Sequence, residues 1–223
     1  MKDTLEAPLA SLAATALPQP AALAQRQRLY EAFMAFVGET EHGALLEVSA
    51  AGGGPDSLAA WCQPRHRSRI VSCAVDAGGA AGRQRFLRED GRHLPFSDGE
   101  FDWVFCQAAI ERAGGFEHQC ELLRELDRVA RKGIFVATPN RRHPLEFHTG
   151  LPFLHWLPAP WWRRALLLAG KRARASANGL DLLDAPALRR LASGLPGQPE
   201  VDVGHIRLGG IKAQLFLLVR KGG

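Results

Sequence analysis

The sequence predicts an α/β domain with one mostly parallel sheet whose last strand runs antiparallel. Short apolar runs of strand length recur along the chain, and helical periodicity or glycine-rich turns separate them. Two strand-like runs, 201–208 and 213–220, end the chain and are joined by only four residues. A connection this tight implies that the final two strands pair antiparallel.

Composition is consistent with one folded domain and excludes several other classes. The chain has 223 residues, 46% hydrophobic and 23% charged, as expected for a globular protein rather than a fibrous or disordered one. No apolar run approaches the ~18 residues that a membrane-spanning helix needs. The apolar stretch 7–24 contains prolines and follows acidic residues, so we do not expect a signal peptide. The cysteines form no CxxC pair, and we therefore expect reduced thiols in a cytoplasmic protein without a metal site.

The basic balance of the chain points to an anionic contact. The formal net charge is +5, and basic residues are concentrated in 163–174. A solvated basic face and a contact with phosphate, nucleic acid or lipid both explain this pattern. Nucleic acid is the least favoured partner, because the chain carries no recognisable recognition module.

The N-terminal part is predicted to form an arm and a helix, residues 1–40, ahead of the main domain at 41–223. Prolines among small residues favour a loose arm at the start. Apolar residues at helical spacing, including Leu29, Phe33 and Phe36, predict a helix over 25–37.

The first strand, 44–49, leads into a glycine-rich turn and then a helix through Trp61. Glycines let a backbone approach a ligand closely, although the turn could also merely begin the helix. The second strand, 69–75, ends at Asp76. A carboxylate at this position can accept both ribose hydroxyls of a nucleotide, and the alternative is a turn aspartate.

The central segment 90–105 is the most informative part of the sequence. It begins with an Asp90-Gly91 turn, passes through Leu94-Pro95-Phe96 and a second turn, and enters an apolar strand that ends near Gln107. In open α/β sheets small molecules bind outside the carboxyl ends of the strands. Polar residues at these ends are therefore expected to share a crevice.

This segment, with Ala137-Thr138-Pro139-Asn140-Arg141, resembles the class I S-adenosylmethionine-dependent methyltransferases, type 11-like, and the likeness covers about 45–221. The resemblance implies a Rossmann-like sheet of seven strands with the last antiparallel, and S-adenosylmethionine as cofactor, with S-adenosylhomocysteine as product. Ser49 and Ala51 replace the first two glycines of the family's glycine-rich motif. The cofactor-binding positions implied are Glu47, Ser49, Ala51, Gly53, Asp76, Asp90, Gly91 and Gln107.

Two further helices and one strand complete the predicted domain. Residues 116–132 show helical spacing, with Arg131 and Lys132 suited to the helix dipole and Gly133 to the stop. Residues 134–138 form the next buried strand, and 184–193 the last helix.

The segment 140–175 is predicted to form a lid over the acceptor side of the crevice, as an insertion after strand five. His143, Glu146 and His148 are candidate catalytic residues by location alone, and each histidine could equally be structural. The basic stretch within 156–174 predicts peripheral membrane contact; its leucines could instead cover the core while its arginines stay in water.

The resemblance implies methyl transfer from S-adenosylmethionine to a small-molecule or lipid-linked acceptor, and composition adds the expectation of a cytoplasmic protein with peripheral contact to the membrane. The alternative is a catalytically weak or inactive protein of the same fold that acts as a binding or regulatory partner. Several departures from the family pattern favour that alternative. They are Ser49 and Ala51 in place of glycines, Arg112 where relatives often have histidine, and the short link between Asp76 and Phe86.

Overall fold

The computed structural model describes residues 19–38, 43–49, 57–62, 69–74, 93–145, 152–157, 159–168 and 181–222. Within these ranges the chain forms six strands, five α-helices and two 3₁₀ turns. The strands are β1 (Ala44–Ser49), β2 (Arg69–Ala74), β3 (Phe101–Gln107), β4 (Ala130–Pro139), β5 (Glu200–Leu208) and β6 (Ile211–Arg220). The helices are α1 (Gln19–Val37), α2 (Leu58–Cys62), α3 (Phe116–Val129), α4 (Ala159–Leu168) and α5 (Ala185–Ala192), and the 3₁₀ turns are Ile110–Arg112 and Leu154–Trp156.

All six strands belong to one sheet in the order β2-β1-β3-β4-β6-β5. The strands β2, β1, β3 and β4 pair in parallel, whereas β6 runs antiparallel to β4 and β5. The α/β class and the antiparallel last strand are therefore confirmed. The described residues supply six of the seven strands expected, and residues 75–92 lie outside them.

The turn of the final hairpin is shorter than the four-residue connection that the sequence predicts. Gly209 and Gly210 make the turn with φ values of 56° and 84°, and Ile211 already belongs to β6. Two consecutive positive φ angles suit the right-handed twist of the flanking strands, and glycine adopts them without strain.

Both faces of the sheet are covered, which explains the continuous apolar runs of its central strands. Alternate residues of β3 face opposite layers: Val104 packs with α3 and α5, and Phe105 packs with α1. The Phe33 ring of α1 lies 5.1 Å from the Phe105 ring. The helix begins at Gln19, earlier than the predicted start, with Pro20 in its first turn, where proline is tolerated.

The boundary between α3 and β4 was predicted wrongly. The helix ends at Val129 and the strand begins at Ala130, so Arg131 and Lys132 lie in the strand and not in a last helical turn. Gly133 is a strand residue whose missing Cβ leaves room for the Val219 carbonyl and the Trp103 ring. Pairing with β3 and β6 therefore overrides the local helix-stop pattern.

An ion-pair network closes the amino end of the sheet around Asp102, which is buried. One carboxylate oxygen accepts a hydrogen bond from Ala44 N at 3.0 Å, and the other is bound by Arg131, with Lys132 Nζ at 3.8 Å. Burial by itself would raise the pKa of Asp102, but the Arg131 and Ala44 hydrogen bonds and the two cationic charges outweigh it and lower that pKa. Asp102 thus ties the starts of three neighbouring strands together.

Asp127 is a buried carboxylate on the otherwise mostly apolar inner face of α3. Asp127 Oδ2 lies 3.4 Å from Lys221 Nζ, and that ammonium also donates to the carbonyls of Asp127 and Ala130 at 2.6 and 2.9 Å. Burial raises the pKa of Asp127 despite this cation.

Within the described ranges, no helix is long and apolar enough to cross a bilayer.

Candidate functional site

The carboxyl edge of the sheet contains a topological switch point between β1 and β3. Strand β1 is followed along the chain by β2 on one side, and the chain then returns to place β3 on the other side. Ser49, the last residue of β1, is in register with Ala74 of β2 and Gln107 of β3. A crevice at such a point is the usual ligand position in open α/β sheets.

The side chains of Ser49 and Gln107 leave free hydrogen-bonding capacity at this point of the sheet. Both side chains are half-buried, and neither makes a hydrogen bond to the residues that the structure describes. A hydroxyl and a carboxamide supply donors and acceptors side by side. The donor set at the switch point therefore fits a polar ligand such as a nucleoside.

Glu47 lies within β1, as the resemblance implies, and its side chain is hydrogen-bonded inside the protein. Its buried carboxylate accepts a hydrogen bond from Leu58 N at 2.9 Å and another from Ser72 Oγ at 2.8 Å. These bonds join the start of α2 and the strand β2 to β1. Glu47 therefore holds β1, β2 and the start of α2 together, and its contact with a cofactor stays a prediction.

The residue after Gln107 has an unusual backbone. Ala108 has a φ of 56°, in the left-handed region that residues with a Cβ rarely adopt, and its N–H donates to Ala137 O at 3.3 Å. Such strained residues cluster at functional sites because the surrounding structure must hold them in place. The bend turns the chain from β3 into the 3₁₀ turn and brings Glu111 beneath β4.

Glu111 was missed as a site residue by the sequence reasoning. Its fully buried carboxylate accepts a hydrogen bond from Thr138 Oγ1 at 3.0 Å, and its carbonyl accepts one from Asp181 N at 2.8 Å. It therefore links the end of β3 to the end of β4 and to the segment before α5. Nothing in the sequence singles out this carboxylate, because its two partners are distant along the chain.

Cys106 lies next to the crevice but is no nucleophile. Burial raises the pKa of the Cys106 thiol far above its ordinary range, and the neighbouring Glu111 and Cys73 raise it further. The thiolate is the reactive form of cysteine. Cys106 therefore contributes packing to the core.

A cleft of about 410 Å³ opens beyond the end of β4 and is lined by Arg141, Arg142, Trp156 and Asp184. The guanidinium of Arg142 lies 3.0 Å from Asp184 Oδ2. Asp184 also caps α5, because its Oδ1 accepts a hydrogen bond from Ala187 N at 3.0 Å. Burial would raise the pKa of Asp184, but the bonds from Ala187 and Arg142 and the charge of Arg141 lower it overall. The cleft keeps a net positive lining with one aromatic wall.

The backbone of Arg141 holds that wall in place. Its carbonyl accepts a hydrogen bond from Trp156 Nε1 at 2.8 Å and lies 2.9 Å from His155 Nε2. Asn140 shapes the same turn, since its carboxamide donates to Lys212 O at 2.8 Å and accepts from Arg142 N at 3.0 Å. The turn at the end of β4 thus shapes the cleft through the Arg141 carbonyl and the Asn140 carboxamide.

Of the candidate catalytic residues, only His143 lies within the described residues. It is buried, and its Nδ1 lies 2.9 Å from Leu145 O and 3.2 Å from Leu145 N, within its own turn. The other predicted site residues that lie outside the described ranges are Ala51, Gly53, Asp76, Asp90, Gly91, Glu146 and His148. Their roles stay predictions.

Comparison with known proteins identifies a methyltransferase domain and a shared fold. A family model described as "Methyltransferase domain" matches residues 50–137. No curated protein matches the chain.

Three solved structures illustrate the shared fold at low identity. A SAM-dependent methyltransferase from Archaeoglobus fulgidus superposes with a TM-score of 0.55 at 12% identity, over 90% of this chain and 94% of its own. Magnesium protoporphyrin IX methyltransferase from Synechocystis PCC 6803, solved with bound SAH, has a TM-score of 0.54 at 12% identity over 91% and 84%. A SAM-dependent methyltransferase from Thermotoga maritima has a TM-score of 0.53 at 15% identity over 90% and 89%.

Proposed function

We propose that the chain is a class I methyltransferase that transfers the methyl group of S-adenosylmethionine to a small-molecule or lipid-linked acceptor, since a methyltransferase family model matches residues 50–137 and the sheet shares the fold of solved methyltransferases. One observation carries the proposal. Ser49 and Gln107 stand in the same register across the switch point with their hydrogen-bonding groups free within the described residues. These groups would line a ligand crevice at this edge of the sheet and would bond a nucleoside there.

The cofactor would lie along this edge. Ser49, Ala51, Gly53 and the backbone of the glycine-rich turn would face its amino-acid part, with that turn held between β1 and α2 by Glu47. By the resemblance, Asp76 would accept the ribose hydroxyls. Three further residues would surround the adenine and complete the pocket: Asp90, Gly91 and Gln107.

When bound, S-adenosylmethionine supplies a methyl group on a sulfonium that is already a good leaving group. The protein's main contribution is then to hold the acceptor atom in line with that methyl group and to exclude water. A hydroxyl acceptor must also lose its proton to a base. His143, Glu146 and His148 remain the candidates for that base.

The acceptor would enter from the cleft beyond β4. Arg141 and Arg142 give this cleft its positive charge, and the Trp156 ring supplies an apolar wall. This combination favours an acceptor that has an anionic group next to an apolar or planar part.

Titration calorimetry with S-adenosylhomocysteine tests the proposal. Asp76→Ala should weaken binding about tenfold to a hundredfold, because hydrogen bonds to a charged acceptor contribute ~1.5–3 kcal/mol. Asp202→Ala is the matched control, since Asp202 is exposed on β5 and, within the described part of the chain, its side chain bonds just the neighbouring Val203 N, at 2.7 Å. No detectable binding by the wild-type protein at millimolar ligand would refute the proposal.

That negative result would favour the second candidate function, a non-catalytic binding or regulatory partner. The observation that favours this second function is Ser49, which lies at the switch point where the family's motif has a glycine. A Cβ and a hydroxyl at this position reduce the room for close backbone approach to a ligand. Binding of S-adenosylhomocysteine by the wild-type protein would remove this objection.

A further inference from the structure

The segment 147–180 carries the net positive charge of the whole chain. It contains five of the 28 lysines and arginines and none of the 23 aspartates and glutamates. The remaining residues therefore have 23 of each sign, and their formal charges cancel. The five cations are Arg163, Arg164, Lys171, Arg172 and Arg174.

Exposed apolar side chains are concentrated in the same part of the chain. Among the described residues nine large apolar side chains are exposed, and six of them lie within 153–168. Leu168 is 84% exposed and Trp161 is 66% exposed. The six are Phe153, Trp156, Leu157, Trp161, Leu167 and Leu168. Single exposed apolar residues are ordinary on a soluble protein, but a concentration of this kind marks an interaction surface.

Helix α4 places three exposed residues of this part of the chain on one face. Trp161, Arg164 and Leu168 follow each other at i, i+3 and i+7, so they share one face of the helix, and all three are exposed. An arginine in this setting can lay its aliphatic stem on apolar surroundings while its guanidinium reaches outward. Tryptophan is similarly suited to a boundary between water and an apolar phase.

We propose that this face of α4, together with the exposed residues of 153–157, docks on the surface of a membrane that contains anionic lipids. The Trp161 and Leu168 side chains would enter the headgroup boundary, and the Arg164 guanidinium would pair with a lipid phosphate. Charge complementarity selects this occupant over a second copy of the chain, because two segments of charge +5 repel each other.

The docking surface adjoins the cleft beyond β4. Trp156 belongs to both, since it lines the cleft with Arg141 and is half exposed. A lipid-linked acceptor would thus reach the cleft from the membrane side. Docking itself does not depend on methyl transfer, so its test needs neither cofactor nor acceptor.

Flotation of the full chain with vesicles tests the charged part of the surface. Wild-type protein should float with phosphatidylglycerol–phosphatidylcholine vesicles, more weakly with pure phosphatidylcholine vesicles, and less as salt is raised. Arg164→Gln should lower the partition coefficient on the anionic vesicles about fivefold, since each cation near such a surface contributes about 1 kcal/mol. Arg190→Gln, at an exposed position of α5, is the matched control and should leave it unchanged.

The double variant Trp161→Ser, Leu168→Ser tests the apolar part. It should lose at least about tenfold in partitioning onto both vesicle types, because two side chains no longer leave water. Ile211→Ser is the control, as Ile211 is 48% exposed on the β5–β6 hairpin, and all variants should keep the wild-type circular dichroism spectrum.

Either of two results overturns the proposal. One is that wild-type protein stays at the bottom of the gradient with anionic vesicles. This result overturns the proposal also if the protein self-associates or binds a soluble acidic protein instead. The other is a folded double variant that floats as well as the wild type.

Discussion

The two ends of the sheet differ in how they use polar residues. At the amino end, Asp102 bonds Ala44 N and Arg131. At the carboxyl end, the side chains of Ser49 and Gln107 have no hydrogen-bond partner among the described residues, and Ala108 has a left-handed backbone. At the amino end the buried carboxylate is paired within the protein, whereas at the carboxyl end two polar side chains are unpaired among the described residues and one backbone position is strained.

This contrast separates stability from ligand binding. A buried carboxylate that is fully paired stabilises the strands it joins, because losing one partner leaves the other unsatisfied. Free polar groups at a half-buried edge stabilise nothing in the unliganded protein, but they are available to a ligand. Substitutions at the amino end should therefore change the free energy of unfolding, and substitutions at the unpaired positions of the carboxyl end should mainly change ligand affinity.

The largest expected effect is that of Gly133→Ala at the amino end. The new Cβ would meet the Val219 carbonyl and the Trp103 ring, and a backbone carbonyl inside a sheet cannot move aside easily. We expect a loss of about 2 kcal/mol in the free energy of unfolding, measured by urea denaturation. Gly222→Ala is the control, because no atom lies within 4 Å of its added Cβ. A variant as stable as wild type would show that the amino end is less tightly packed than described.

Asp102→Asn should have the next largest effect, and the effect should depend on pH. We expect a loss of about 1 kcal/mol at pH 7, a modest value because Arg131 is 64% exposed and its charge is screened. The folded pKa of Asp102 is below its ordinary 3.8, so its carboxylate stabilises the fold above that pH and ceases to do so as the pH falls through the folded pKa.

Urea denaturation of both proteins at a series of pH values measures this difference. The free energies of unfolding should converge as the pH falls below 3.8. A difference that stays constant through this range would mean that packing, and not charge, makes the variant less stable.

The smallest expected effect is that of Ala108→Gly at the carboxyl end. Glycine removes the left-handed strain of ~1 kcal/mol but adds a conformational entropy cost of ~0.5–1 kcal/mol, so unfolding should change by no more than about 0.5 kcal/mol. Affinity for S-adenosylhomocysteine, measured by calorimetry, should fall because the bend beside Gln107 becomes less rigid. Destabilisation beyond ~1 kcal/mol would place Ala108 with the stabilising residues instead.

Much of the fold could be read from local patterns. The runs 44–49 and 101–105 are short, apolar and bounded by turns, and they form β1 and most of β3. Asp184 followed by a proline two residues later predicts a helix start, and it caps α5. The end of α3 could not be read in this way, because Arg131 and Lys132 suit a helix C-terminus as well as they suit a strand that faces Asp102.

The sequence by itself determined the α/β class, the order of most elements and the residues at the ends of the strands, since these follow from periodicity and turn chemistry within short windows. Only the tertiary structure decided which polar groups meet. Glu111 with Thr138 and Arg142 with Asp184 are pairs separated by 27 and 42 residues, and no local pattern specifies them. Their positions follow from strand order and register, which the whole sheet fixes at once by burying both of its faces.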